Sequence, residues 1–163
     1  MKTPIEAPIW CYNKLTISAV ADTFIASVFD LSNQLVDEDD KSPLSFYNHS
    51  PIPQMLADSH YTLTEQEVSD NYVKTGYHSM LEFTCEEWGC PYDARAVNAI
   101  WYTDDTLHFE FVTVGTPPIA WLKSLSADFP ELMFEIESNN EMDLWEAFEA
   151  IYLEGKEVAH TIL

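Results

Sequence analysis

Two runs rich in β-branched and aromatic residues, Val97-Asn98-Ala99-Ile100-Trp101-Tyr102 and Leu107-His108-Phe109-Glu110-Phe111-Val112-Thr113, are separated only by Thr103-Asp104-Asp105-Thr106. So short a polar link between two such runs is a hairpin signal, because the pleated backbone must reverse within a few residues. An antiparallel pair therefore sits in the middle of the chain, and the remaining elements must be arranged around it.

Ile9 to Ser18 reads as a strand, with Trp10, Tyr12, Lys14 and Thr16 alternating with Cys11, Asn13, Leu15 and Ile17. Asp22 then occupies an N-cap position before a helix whose apolar residues fall at 24, 25, 28, 31 and 35. The acidic run Asp37-Glu38-Asp39-Asp40 ends it, and a loop with Pro43, Pro51 and Pro53 follows. Thr62 to about Glu87 is helical in character. Thr64 with Glu67 is a capping-box pattern, a second helix spans about Ser79 to Glu87 with Met80, Phe83 and Trp88 near one side, and Gly89 and Pro91 stop it. After the hairpin, Pro117-Pro118 open a helix through Trp121, Leu122, Leu125 and Phe129, which Pro130 ends. Leu132 to Glu137 alternates as a strand. A further strand is expected within Trp145 to Leu153, then a turn at Glu154-Gly155-Lys156 and a last extended piece.

The order β, α, insertion, β-hairpin, α, β is a split βαβ arrangement. The expected fold is α+β, a ferredoxin-like sandwich with an antiparallel sheet, a helical insertion after the first helix and a C-terminal β extension. We expect one domain over 1–163, with a core at 9–36 and 92–137, the insertion at about 54–91 and an acidic extension at 138–163. Leu107, Phe109, Phe111, Leu132, Phe134 and Ile136 should face the helices. His108, Glu110, Met133, Glu135 and Glu137 should fall on the open face, whereas Glu146 and Glu149, three residues apart, need not share one.

Charge narrows the range of partners. The chain holds 28 acidic against 7 basic residues, a net charge of -21, and between Asp128 and Glu157 ten acidic residues accompany one basic residue, Lys156. With 47% hydrophobic residues and 13% aromatic it lies far from the compositions that stay disordered. Such a surface repels DNA, RNA and anionic membrane, and attracts proteins built to hold phosphate. Direct nucleic-acid binding is not expected: Lys14, Lys41, Lys74 and Lys123 stand isolated among carboxylates. No stretch approaches eighteen apolar residues, so no membrane span is expected.

Site chemistry is sparse. Cys85-x4-Cys90 with His78 upstream lacks a second ligand pair, since Cys11, His49, His60, His108 and His160 are scattered, so no metal is expected. Three cysteines and an N-terminus without an apolar core after Lys2 suggest a cytoplasmic protein with free thiols. Four glycines leave no phosphate-cradling loop, and the acidic pairs match no calcium loop. Arg95, the single arginine, is read as pairing Asp93 or a neighbouring Glu. No catalytic residue or cofactor is expected.

Trp10-Cys11-Tyr12-Asn13-Lys14-Leu15-Thr16-Ile17, Trp88-Gly89-Cys90-Pro91-Tyr92-Asp93-Ala94 and Thr116-Pro117-Pro118 with Trp121-Leu122 and Phe129-Pro130 together resemble the Api92-like proteins of phages and plasmids. Those proteins carry the YubB-type ferredoxin-like domain. The resemblance spans residues 9 to 137 and implies that fold and a mobile-element origin, with no catalytic residues to carry over. It fails after 137, where Ser138-Asn139-Asn140-Glu141-Met142-Asp143 stands in place of a glycine-rich aromatic ending.

The residues alone leave two readings of the acidity open, a functional surface or solubility. The implied mobile-element origin favours the first. The expectation is a non-enzymatic inhibitor of a host nucleic-acid-handling defence protein, of the anti-restriction or anti-CRISPR, DNA-mimic type, acting in the bacterial cytoplasm. Glu110, Glu135, Glu137, Asp143, Glu146 and Glu149 would supply the negative surface that meets the host protein's basic nucleic-acid-binding cleft, and Trp145 and Phe148 the apolar anchors. The alternative is a self-associating structural module, a homodimer whose acidity serves only solubility.

Overall fold

A computed structural model describes residues 8–39, 41–58 and 63–163. The expectations placed on Met1 to Glu6, Asp40, His60 and Thr62 lie outside the described residues. The fold is α+β. In chain order the elements are β1 (Trp10–Ala19), α1 (Ile25–Leu35), the short α2 (Phe46–His49) and α3 (Gln54–Ala57), α4 (Glu65–Thr75), α5 (Met80–Glu87), β2 (Arg95–Thr103), β3 (Thr106–Val114), α6 (Ile119–Asp128), β4 (Leu132–Asn140), β5 (Phe148–Leu153) and β6 (Lys156–Ile162).

The strands form one sheet in the order β2-β3-β1-β4-β5-β6, every neighbouring pair antiparallel. β1 and β2 therefore run in the same direction with β3 between them. β1 takes a central place, its Leu15 lying between Phe109 of β3 and Ile136 of β4. The period-two alternation puts Leu15 and Ile17 on one face with Leu107, Phe109, Phe111, Phe134 and Ile136, all buried as expected. Val28, Leu31 and Leu35 of α1 and Trp121, Leu122 and Leu125 of α6 close over that face. Phe46 sits at the centre of the aromatic packing, with ring centroids 4.7 Å from Trp121, 5.8 Å from Trp88 and 6.0 Å from Phe111.

The hairpins follow local chemistry. Asp104 and Asp105 turn β2 into β3, with Thr103 opposite Thr106. Glu154 and Gly155 turn β5 into β6, both with positive φ (51° and 80°), as the tightest hairpin turn demands. Gly155 donates its N–H to Ser126 Oγ at 3.0 Å, tying this hairpin to α6.

Several expectations are corrected. Asp22 does not cap α1: it opens a 3-10 turn, Asp22–Phe24, and no side chain caps the helix that follows. The proline-rich stretch is not plain loop, because Asp93 organises α2. Its carboxylate accepts from Ser45 Oγ (2.8 Å) and from the N–H groups of Phe46 (2.7 Å), Tyr47 (3.3 Å) and Ala94 (2.7 Å). With those four donors on Asp93, Arg95 goes elsewhere and lies over the rings of Tyr92 (5.5 Å) and Trp10 (5.8 Å). Thr64 caps α4 through the Glu67 N–H at 3.2 Å, and Ser79 caps α5 through Glu82 at the same distance. Phe83 and Trp88 are buried but Met80 is exposed. The strand expected within Trp145 to Leu153 begins at Phe148. Asn140 holds the preceding link in a turn, accepting from Leu144 N–H (2.7 Å) and donating to the Trp145 carbonyl (3.0 Å).

Candidate functional site

Among the described residues, no helix covers the second face of the sheet. The registers place Asn98, Glu110, Lys14, Glu137, Glu149 and Thr161 in one row across all six strands, and Ile100, His108, Thr16, Glu135, Ile151 and Ala159 in the next. Lys14 lies between Glu110 and Glu137, and its Nζ is 3.7 Å from Glu137 Oε1. Both partners are well exposed, so this ion pair is worth at most about 1 kcal/mol. Three carboxylates against one ammonium leave the row negative. Glu110 and Glu137 are two strands apart, roughly 10 Å. A shallow cavity of about 300 Å³ lies between them, with Tyr12, Asn98 and Asn139 on its other sides.

Like charges crowd at the β4–β5 seam. Glu149 stands directly opposite Glu137 and diagonal to Glu135. A hydrogen bond to Glu149 raises the Glu135 pKa above the usual carboxylate value, and partial burial and the Glu149 charge push the same way. The seam therefore holds a proton more firmly than a lone Glu would, and an approaching cationic side chain would relieve the repulsion. On the neighbouring row His108 lies on the open face as expected but is buried, its Nδ1 3.1 Å from Thr16 Oγ1 and its Nε2 3.4 Å from Glu110 Oε1.

Glu110, Glu135, Glu137 and Glu149 thus come together on one surface. Asp143 and Glu146 do not join them: both are exposed in the link between β4 and β5. Phe148 lies on the helix side, opposite Ser138, packed against the core and stacked on His160 at 5.0 Å. Trp145 packs on Phe148 at 5.7 Å. Neither aromatic projects from the acidic face. Tyr12, Lys14, Asn98 and Asn139 were not singled out beforehand. The alternation of β1 was the available signal, since it opposes Tyr12, Lys14 and Thr16 to the buried Cys11, Asn13, Leu15 and Ile17.

The covered side carries a polar strip. Asn13 Nδ2 donates to Thr113 Oγ1 at 3.0 Å, and Ser138 Oγ donates to Asn13 Oδ1 at 2.8 Å. These groups satisfy one another, as buried polar groups must. Burial raises the Cys11 thiol to about 11 and pushes Cys90 up as well, so neither is a ready nucleophile. Among the described residues no group of three or more His, Cys, Asp or Glu is placed to hold a metal ion, and no helix is long and apolar enough to cross a membrane.

No family model matches the chain, and a search of curated proteins finds no relative. Among solved structures, the chain is similar to the crystal structure of a protein Api92 from Yersinia pseudotuberculosis, of the DUF1281 family model. The match has a TM-score of 0.58 and covers 96% of this chain and 98% of that one at 10% sequence identity. At that identity the likeness shows a shared fold, which extends through the acidic C-terminal part where the sequence resemblance fails.

Proposed function

We propose that this chain is a non-enzymatic protein of a phage or related mobile element that binds and blocks a host nucleic-acid-handling defence protein, of the restriction or CRISPR kind, in the bacterial cytoplasm. The observation that carries this reading is the uncovered sheet face, on which Glu110, Glu135, Glu137 and Glu149 lie within four neighbouring strands, β3, β1, β4 and β5. A rigid sheet holds these carboxylates at fixed spacing, so a basic cleft meets them without ordering a flexible tail. The ferredoxin-like assignment belongs to the same reading. It is supported by the order β2-β3-β1-β4, in which the parallel β1 and β2 flank β3.

A pull-down tests it: the tagged chain is exposed to lysate of a bacterium carrying several defence systems and eluted with rising salt or with duplex DNA. The reading expects one basic nucleic-acid-binding protein, released by moderate salt and displaced by DNA. A salt-resistant partner without a basic cleft would move the contact away from the acidic face.

One observation favours self-association as a second reading. β6 is an edge strand exposed along its whole length, with Val158 and Ile162 open to solvent. Such an edge is a template for pairing with a second copy. A dimer that persists in high salt and dissociates when Val158 is replaced by proline would support it.

A further inference from the structure

The helix layer does not reach across the whole sheet. β2 is an edge strand whose Ala99 and Trp101 sit opposite Phe109 and Leu107 and so face the helix side. Yet Ala99 is exposed and Trp101 is 46% exposed, because α1 packs on β1 and leaves the strip over β2 open. Val28, Leu31 and Leu35 of α1 point into the core. A second stripe, Ile25, Phe29, Ser32 and Val36, runs along the flank of α1 and its C-cap at spacings of four, three and four, and borders this strip. Phe29 is 61% exposed.

Two cavities, of about 270 and 330 Å³, lie along the strip and share Phe29 and Trp101. The first reaches down to the core residues Leu107 and Phe109, and the second ends at Asp104. They make one apolar trough beside α1, continuous with the core. A helix packed alongside another needs about 8–10 Å between axes, and the width of one edge strand plus the open flank of α1 supplies such a berth.

Charge defines what could lie there. The sequence has no Lys or Arg between Lys14 and Lys41, the stretch that contains α1, nor between Arg95 and Lys123, the stretch that contains the β2–β3 hairpin. Those stretches carry nine acidic residues, and of them Asp104 lines the trough itself. The nearest basic residue in sequence is Lys41, by Pro43 at the opposite end of the trough from Asp104. A second copy of a chain with net charge -21 would be repelled by the net charge of this one, with Asp104 at the trough adding to it.

From this juxtaposition we infer that the trough between α1 and β2, lined by Phe29, Val36, Ala99 and Trp101, docks an amphipathic, cationic helix of a partner protein. The apolar stripe of that helix covers Phe29 and Trp101, and its Lys or Arg side chains face Asp104 at the end of the trough. The trough lies on the opposite side of the sheet from Glu110, Glu137 and Glu149, so the inference stands independently of the acidic face.

The probe is a labelled synthetic Leu/Lys peptide of about 18 residues with leucines at i, i+3, i+4 and i+7. It is compared with a scrambled peptide of the same composition by fluorescence anisotropy, at about 0.3 M NaCl to screen unspecific attraction. The patterned peptide should bind at least about tenfold more tightly than the scrambled one, as expected when aromatic anchors carry the contact. Phe29→Ser alone, and with Trp101→Ser, should remove that advantage, whereas the triple variant Glu110→Lys, Glu137→Lys, Glu149→Lys should keep it. Phe29→Ser changes only an exposed side chain, so it reports even if the double variant fails to fold. Equal binding of the two peptides, or full binding by Phe29→Ser, would overturn the inference. A dimer of the chain dissolved by Phe29→Ser would give the trough to a second copy and overturn it too.

Discussion

Glu135 and Asp93 show two opposite uses of a carboxylate. At Glu135 the neighbours are Glu149 and a partly dry surface, so the folded chain holds the proton more tightly than the unfolded chain does. A group whose pKa is raised by folding favours the native state at low pH and opposes it as pH rises through its folded value. Glu149→Gln should therefore raise the thermal midpoint at pH 7 and above, by the few tenths to about 1 kcal/mol of a like-charged cross-strand pair. In melts at a series of pH values this gain should fade as pH falls through and below the ordinary carboxylate range, where Glu135 carries its proton in the folded and the unfolded chain alike. At Asp93 four donors converge on one ion. Removing it takes the acceptor from two buried residues, Ser45 and Phe46, so Asp93→Ala should cost roughly 2–4 kcal/mol in chemical denaturation. The tryptophan and aspartate of Trp88-Gly89-Cys90-Pro91-Tyr92-Asp93-Ala94 thus have structural duties. Trp88 Nε1 donates to the Ser50 carbonyl at 3.0 Å and Asp93 builds α2. No local pattern announces these contacts of Trp88 and Asp93, since their partners lie some forty residues upstream.

At the scale of elements, period and punctuation carried most of the information. The alternation of β1, β3 and β4 assigned their buried faces, and prolines and glycines marked where helices stop. The uneven helix cover escaped that reasoning: the exposed half of β2 depends on where α1 settles, which no window of sequence states. The alternation placed Glu110, Glu135 and Glu137 on the open face, but it did not place Glu149 beside them or part Asp143 and Glu146 from them. Phe148 and Glu149 are neighbours in sequence and fall on opposite faces, and the register of β5 on β4, with Glu149 opposite Glu137, decides which. Gly89 offers a test of how the elements lock. Its φ is +86°, and a Cβ there would lie 3.1 Å from the backbone nitrogens of both Ile119 and Ala120 at the start of α6. Backbone cannot yield as a side-chain tip can, so Gly89→Ala should cost about 1–3 kcal/mol, read as a lower denaturation midpoint.

The whole molecule carries a net charge of -21, and its antiparallel sheet is partly covered by helices on one side and acidic on the other. Self-repulsion of that size opposes compactness, and salt screens it over about 10 Å at 0.1 M. Raising NaCl from about 0.01 to about 0.5 M should therefore raise the thermal midpoint, a trend that scanning calorimetry would register and that an unchanged midpoint would refute. The same charge raises the question on which the functional reading turns, whether location or sheer quantity matters. The deciding measurement compares two triple variants with the same change of net charge in the lysate pull-down. One is Glu110→Lys, Glu137→Lys, Glu149→Lys on the open face; the other is Glu65→Lys, Glu67→Lys, Asp70→Lys on α4. The account predicts that the first loses the basic partner and the second retains it. Equal loss from both, or retention by both, would contradict it.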